Sequence, residues 1–233
     1  MRILNASEAV LPVDLKLPGH VALIMDGNRR WGYARQIPAE ESHRSTSPAL
    51  ASVILGARTI GIPHLTFFCL STENLSRPSA EVDELLNFES WLWTAEVHAA
   101  LEEAGARVEL AGDLENIQVR DHIPVSLASF REPDAPLVVT FAVNYGSQQE
   151  LQLASERTRA TARPISDGLH LPLLPPVDLL IRTGGDQRLS NFMLWQAAYA
   201  ELVFTDTLWP DFTGLHLASA VWEYSIRDRR FGR

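Results

Sequence analysis

The chain carries several clusters of acids, arginines, amides and glycines whose spacing suits the chemistry of phosphorylated ligands. The first is HVALIMDGNRRW, His20 to Trp31. In it Gly27 allows close backbone approach, free N–H groups with Arg29 and Arg30 suit phosphate oxygens, and the Asp26 carboxylate suits a divalent metal. The same residues read equally well as a tight Asp-Gly turn ahead of a solvated basic helix start, and the stretch alone does not decide. Three further clusters follow: Ser71-Thr72-Glu73-Asn74 with Arg77, Asn144-Tyr145-Gly146, and Arg182-Thr183-Gly184-Gly185 with Arg188 and Ser190. This inventory is rich in anion donors and poor in nucleophiles. It contains no defensible Ser–His–Asp grouping and no zinc spacing, and its glycines match neither the P-loop nor the dinucleotide fingerprint. Separate arginine clusters fit two phosphorylated substrates, with an acid or two for a magnesium ion. Cys69 falls inside an apolar run and reads as core more than as a reactive thiol. His43 reads equally as a solvated loop residue.

Each cluster follows a short apolar run. Val21 to Met25, Leu65 to Leu70, Leu137 to Val143 and Val177 to Ile181 are strand-like, and Arg107 to Ala111 and Glu201 to Thr205 complete a set of six. Between them lie helical patterns: Pro48 to Arg58, a long helix from Pro78 and Ser79 to about Glu103, Leu114 to Phe130, Gln148 to Arg159, Phe192 to Ala198, and Leu215 to Arg227. Gly32 to Thr46 is polar and irregular. Strands alternating with helices imply an α/β fold, a mostly parallel six-stranded sheet flanked by helices. In such a sheet the carboxyl ends of the strands share one edge, so four clusters distant in sequence converge there.

Composition sets the outer bounds. At 233 residues and 46% hydrophobic content the chain has ample core for one domain. Residues 1–18 read as a lead-in and 19–233 as a single domain. The net charge of −9 argues against general nucleic-acid binding. No apolar run approaches the ~20 residues of a membrane span, and the first residues lack a signal-peptide core. With one cysteine, no intrachain disulfide forms, and a cytoplasmic location is expected.

Several long motifs, in order, resemble one family: the cis-prenyltransferases, or (Z)-prenyl diphosphate synthases, of the undecaprenyl diphosphate synthase type. They are HVALIMDGNRRW, FFCLSTENLSRP, FAVNYG, DLLIRTGGDQRLSNFMLWQAAYAEL, FTDTLWPDF and the closing RRFG. The resemblance implies a sheet-centred fold with an apolar tunnel, a homodimer, Mg2+ as cofactor, and transfer of an allylic diphosphate's prenyl group onto isopentenyl diphosphate with a new Z double bond. By motif, Asp26 binds the metal and assists departure of the allylic diphosphate. Gly27, Asn28, Arg29, Arg30, Trp31 and His43 hold that diphosphate. Ser71, Asn74 and Arg77 position the reacting ends, with Asn74 a candidate for proton removal. Arg182, Arg188 and Ser190 grip the homoallylic diphosphate, Glu201 is a second metal-linked acid, and Arg230 with Gly232 reaches a partner's site.

The chain also departs from the family pattern. The usual Gly-His-x-x-x-Gly is Ser42-His43-Arg44-Ser45-Thr46-Ser47, Leu75 stands where tryptophan is common, and Gln187 where histidine is common. These changes surround the donor half of the site. Cys69, Phe88 and Trp91, with Trp93, are bulky for tunnel positions, and bulk limits a growing chain; the aromatics equally fit packing outward against a neighbouring helix. A short product of about ten to twenty carbons is expected on this packing argument. Two alternatives stand beside it: head-to-middle, lavandulyl-type condensation with dimethylallyl diphosphate as acceptor, and a non-catalytic partner subunit.

Overall fold

A computed structural model describes residues 2–4, 9–11, 15–38, 42 and 44–228. At its centre lie six strands: β3 (His20–Ile24), β4 (His64–Phe68), β5 (Ala106–Ala111), β6 (Leu137–Ala142), β7 (Leu179–Arg182) and β8 (Glu201–Phe204). All pair in parallel, in the order β5-β6-β4-β3-β7-β8. The register is tight at the site: Ile24 faces Phe68 on one side and Arg182 on the other. From β3 the chain runs outward to β4 on one side, and only later crosses to β7 and β8 on the other. The gap between the carboxyl ends of β3 and β7 is thus a topological switch point, where open α/β sheets bind ligands.

The central strands are apolar on both faces because helices cover both. Alternate residues sort between two cores. Val21, Leu23, Leu65, Phe67, Val139, Phe141, Leu179 and Ile181 belong to the larger one. Ala22, Ile24, Ala142 and Leu180 join Tyr145 and Phe192 in the smaller one. Helix α2 (Thr46–Ile60) lies against α4 (Ala95–Ala104) and α6 (Gly214–Ile226) on the larger core. Glycine makes the second contact possible, since a Cβ on Gly56 would stand 2.7 Å from the Gly214 Cα. The remaining helices are α1 (Asn28–Ala34), α3 (Ser79–Leu86) and α5 (Ser147–Arg159).

The structure corrects the expected elements in five places. The stretch after Trp31 is less irregular than its composition suggests, because α1 runs on to Ala34. The single helix from Ser79 to Glu103 is broken between α3 and α4. There Asn87 leaves helical geometry, Phe88–Ser90 forms a 3-10 turn, and Thr94 caps α4 by accepting from the Val97 N–H at 3.4 Å. A straight helix would keep Phe88, Trp91 and Leu92 on one face and turn Trp93 away from it, whereas the break lets all four join one cluster. Residues 114–130 hold two 3-10 turns, Arg120–His122 and Val125–Ser129, separated by Pro124, which cannot continue a helix. Residues 192–198 are a chain of turns, entered through left-handed Ser190, Asn191 and Met193. Finally, the lead-in contains an antiparallel pair, β1 (Arg2–Leu4) with β2 (Ala9–Leu11), lying beside α2 and α6. Among the described residues no helix is long and apolar enough to cross a membrane.

Candidate active site

A cavity of about 820 Å³ opens at the switch point. Much of its lining is polar, with Asp26, Asn28, Arg29, Arg30, Ser71, Glu73, Asn74, Arg77, Arg182, Asp186, Arg188, Ser190 and Asn191, and the rest is largely apolar, with Ile24, Met25, Phe68, Cys69, Leu85 and Trp91. Three of the four motif clusters therefore converge on it. The fourth, Asn144-Tyr145-Gly146, supports it from behind: Ser71 bridges Tyr145 in continuation of the sheet, with Tyr145 N–H donating to the Leu70 carbonyl at 3.0 Å.

The first cluster turns sharply at Gly27, whose φ of +111° is costly for any other residue. A Cβ there would lie 2.9 Å from a Leu208 methyl and 3.0 Å from the Leu208 Cα. The turn leaves Asp26 at the end of β3 and starts α1 at Asn28. Asp26 Oδ2 accepts from Arg182 Nη2 at 2.7 Å, and Oδ1 from Arg30 Nη2 at 3.1 Å. Partial burial alone would raise the Asp26 pKa, but the hydrogen bonds and charges of Arg182 and Arg30 outweigh it and hold the carboxyl below its usual range. Arg30 also donates to the Gly184 carbonyl at 2.5 Å, tying the first cluster to the last. Asn28 accepts from the Thr46 hydroxyl at 3.2 Å, and Arg29 pairs with Glu81 at 3.3 Å.

Arg182 anchors the far side. Its side chain is only 4% exposed. Nη1 donates to the Arg188 carbonyl at 2.6 Å and to Ser190 Oγ at 2.7 Å, while Nε is buried without a hydrogen-bond partner. Arg188, by contrast, is 61% exposed and meets only the Asp186 carboxylate, at 2.7 Å, among the described ion pairs. Its guanidinium is therefore available to a ligand with little rearrangement.

The loop after β4 is held by a reciprocal cap. Ser71 Oγ accepts from the Asn74 N–H at 3.2 Å, and Asn74 Oδ1 accepts from the Ser71 N–H at 3.0 Å. Asn191 joins this loop to the Arg188–Ser190 loop: its Nδ2 donates to Glu73 at 3.0 Å, and its Oδ1 accepts from the Gln148 N–H at 2.9 Å.

Several expected site residues lie elsewhere. Trp31 is outside the cavity lining; its indole donates to Asp211 at 2.8 Å and Arg35 stacks on it at 4.3 Å, so it braces α1. Phe88 lines a separate apolar pocket of about 10 Å³ with Leu92, Trp93 and Phe141, not the cavity itself. Glu201 begins β8, level with Leu179 and hence with Val21, at the amino edge of the sheet. Asp26 is five residues on from Val21 and two past the carboxyl end of β3, roughly 15 Å away in strand length. Glu201 is instead paired with Arg227 at 3.0 Å, so within one chain it shares no ion with Asp26. His43, Arg230 and Gly232 lie outside the described residues.

Trp91 and Cys69 do line the cavity. Burial pushes the Cys69 thiol well above its usual pKa, which leaves it an inert wall. Trp91 is pinned in place: its indole donates to the Leu85 carbonyl at 3.1 Å, and its own carbonyl accepts from Ser47 at 2.7 Å. Ser47 lies in the first turn of α2, so the start of that helix helps to fix Trp91. Sequence reading missed Asp186, which contacts three arginines of the lining. Its signal was there, an acid four residues after Arg182 and two before Arg188.

The donor set fits magnesium in the mode that uses one or two carboxylates plus substrate phosphate oxygens and water. Among the described residues no group of three or more His, Cys, Asp or Glu could cage an ion. Asp26 and Asp186 are the acids placed for the substrate-assisted mode.

Comparison with known proteins agrees with this geometry. The family model described as "Putative undecaprenyl diphosphate synthase" matches residues 24–232. The isoprenyl transferase of Zymomonas mobilis is 39% identical, covering 93% of this chain and 92% of its own. The crystal structure of lavandulyl diphosphate synthase from Lavandula x intermedia, in complex with dimethylallyl diphosphate, superposes with a TM-score of 0.85 at 31% identity, covering 93% of this chain and 99% of that one. That of a probable undecaprenyl diphosphate synthase from Campylobacter jejuni gives 0.73 at 32%, covering 94% and 99%.

Proposed function

The chain belongs to the cis-prenyltransferase family of isoprenyl transferases, and on that footing we propose that it joins an allylic diphosphate to isopentenyl diphosphate, giving a short Z-prenyl diphosphate. The observation that carries this reading is a cavity whose lining combines two arginine groups with apolar residues that include Trp91.

In the reaction the allylic C–O bond breaks with its electron pair leaving on diphosphate. A C–C bond then forms to the terminal carbon of the homoallylic substrate, and a proton departs from that substrate. Charge develops on the leaving oxygen, so fixed donors there stabilise the transition state more than the ground state. Gly27, Asn28, Arg29 and Arg30 hold the allylic diphosphate, together with His43, while Trp31 holds α1 in place. Arg182, Arg188 and Ser190 hold the homoallylic diphosphate. Asp26 would hold a magnesium ion, which when bound would supply charge neutralisation to the departing diphosphate. Ser71, Asn74 and Arg77 orient the reacting ends. The Asn74 amide is a weak base, so its part in proton removal is to steer the proton toward a phosphate oxygen.

Product length follows from the apolar lining. Trp91 forms part of the cavity's apolar lining, and the separate pocket lined by Phe88, Leu92 and Trp93 has about 10 Å³, hardly the space of one water. The chain therefore stops at about ten to twenty carbons, a limit set by packing. The reading includes a homodimer in the cytoplasm; exposed Trp195 and Tyr199 suit burial against a second copy, with Arg230 and Gly232 reaching the partner's cleft.

The likeness to lavandulyl diphosphate synthase, with the altered motif at Ser42 to Ser47, favours a second reading in which dimethylallyl diphosphate is the acceptor and the product is branched. A non-catalytic partner role fits less well, since Asp26, Asn74, Arg182 and Arg188 all face one cavity. One experiment separates all three: incubation with magnesium and either acceptor against dimethylallyl, geranyl and farnesyl diphosphates, with the dephosphorylated alcohols identified by mass and double-bond geometry. A linear Z product of twenty carbons or fewer is expected; no product with any pair would refute the catalytic reading.

A further inference from the structure

The two acids of the cleft share their arginines. Arg182 Nη2 is 2.7 Å from Asp26 Oδ2 and 3.7 Å from Asp186 Oδ2. Arg30 Nη2 is 3.1 Å from Asp26 Oδ1 and 3.8 Å from the same Asp186 oxygen. The four side chains form a closed ring of alternating charge, with Arg188 attached to Asp186 at 2.7 Å. Asp186 thus occupies the position where the oxygens of an incoming anion would meet Arg30, Arg182 and Arg188.

The backbone keeps it there. Gly184 and Gly185 are both left-handed, with φ of +84° and +82°, and their N–H groups donate to the Thr207 and Thr205 carbonyls at 2.9 Å. The positive φ strains any side chain at both positions, and a Cβ on Gly184 would also crowd the Asp26 backbone at 3.1 Å. Asp186 is a fixed feature of the lining, set by the turn that precedes it.

A diphosphate entering this ring competes with Asp186 for the same N–H groups while facing two carboxylates. A metal-free diphosphate meets their full repulsion. A cation-complexed diphosphate carries less charge, and its cation can take up the carboxylate oxygens that the arginines release. We infer that Asp186 is a specificity-determining residue that rejects metal-free diphosphate, so that the cleft takes the cation complex. This rests on the diphosphate reading above and adds the selection of the ligand's ionic form.

The test is calorimetric binding of inorganic pyrophosphate, in magnesium and in chelator, to the unaltered chain and to Asp186→Asn and Asp186→Glu. Asp186→Asn is expected to bind pyrophosphate in chelator about tenfold more tightly than the unaltered chain, the scale of losing a few partly exposed charge contacts. Asp186→Glu, which keeps the charge, is expected to retain the magnesium requirement. A purely structural role predicts weaker binding by the Asn variant, never a gain. Asp186→Ser serves as the neutral variant where thermal unfolding shows the Asn chain unfolded. If the folded neutral variant binds no better in chelator, the inference falls while the diphosphate reading stands. If the unaltered chain fails to bind pyrophosphate even with magnesium, both fall.

Discussion

Arg182 and Arg188 serve the same proposed ligand from opposite environments, and replacing each by Met separates binding from folding. Arg188 is 61% exposed, with one described ion-pair partner, Asp186. Its removal costs the charge-assisted hydrogen bonds it gives the ligand, about 1.5–3 kcal/mol, which is roughly a ten- to hundredfold rise in KM for the homoallylic substrate. Stability should change by no more than about 0.5 kcal/mol, as for most surface substitutions. Arg182 is 4% exposed and gives hydrogen bonds to the Arg188 carbonyl, Ser190 and Asp26. Arg182→Met should weaken the same substrate and also cost about 3 kcal/mol of stability, the lower part of the range for breaking a buried pair, because Asp26 keeps Arg30 and some contact with water. The assay is steady-state kinetics with each substrate varied in turn, beside urea unfolding of both variants. An Arg188→Met enzyme with unchanged KM for both substrates would refute the assignment of the second anion site. An Arg182→Met chain as stable as the original would show that the ring of charge around Asp26 does not hold the strand ends together.

Three further expectations follow from named contacts. Trp91→Leu removes the indole from the cavity lining and its bond to the Leu85 carbonyl; it should cost about 2–4 kcal/mol and lengthen the product by at least one isoprenyl unit, and an unchanged product profile from folded protein would contradict a limit set by Trp91. Gly27→Ala forces an L side chain to φ +111° against Leu208; a loss of about 2–3 kcal/mol with activity near background is expected, checked by urea unfolding and turnover. His20 is fully buried between the Pro175 carbonyl and Thr66, and burial lowers its pKa to about 4, an effect stronger than the opposing Pro175 bond. Protons therefore favour the unfolded chain. Stability is complete above about pH 6.5, falls by about 2 kcal/mol on reaching pH 5, and levels off below pH 4. His64 and His170, also lowered by burial, add to the fall; a flat stability profile between pH 7.5 and 5 would contradict the burial of His20.

Much of this was legible in the residues because strand and chemistry are adjacent. HVALI, HLTFF and LVVTFA are buried apolar runs, and the first two lead directly into polar clusters at the sheet's carboxyl edge. What escaped depends on three-dimensional placement. Helical periodicity alone did not show that Phe88, Trp91 and Trp93 would gather into one core cluster and break the helix at Asn87. Glu201 sits within a motif that also supplies the site, yet it starts its strand instead of ending it, and so falls at the opposite edge. Asp186 was overlooked because an acid between arginines looks like surface charge until the glycine turn aims it inward.

The central claim is that one cleft holds two diphosphates with their hydrocarbon ends meeting above Trp91. A crystal structure with magnesium, isopentenyl diphosphate and an unreactive thio-analogue of an allylic diphosphate tests it most directly. The account predicts the allylic diphosphate on Gly27 to Arg30, the homoallylic one on Arg182, Arg188 and Ser190, and the allylic chain running down to Trp91. Either diphosphate bound outside this cleft, or a chain directed away from Trp91, would contradict it.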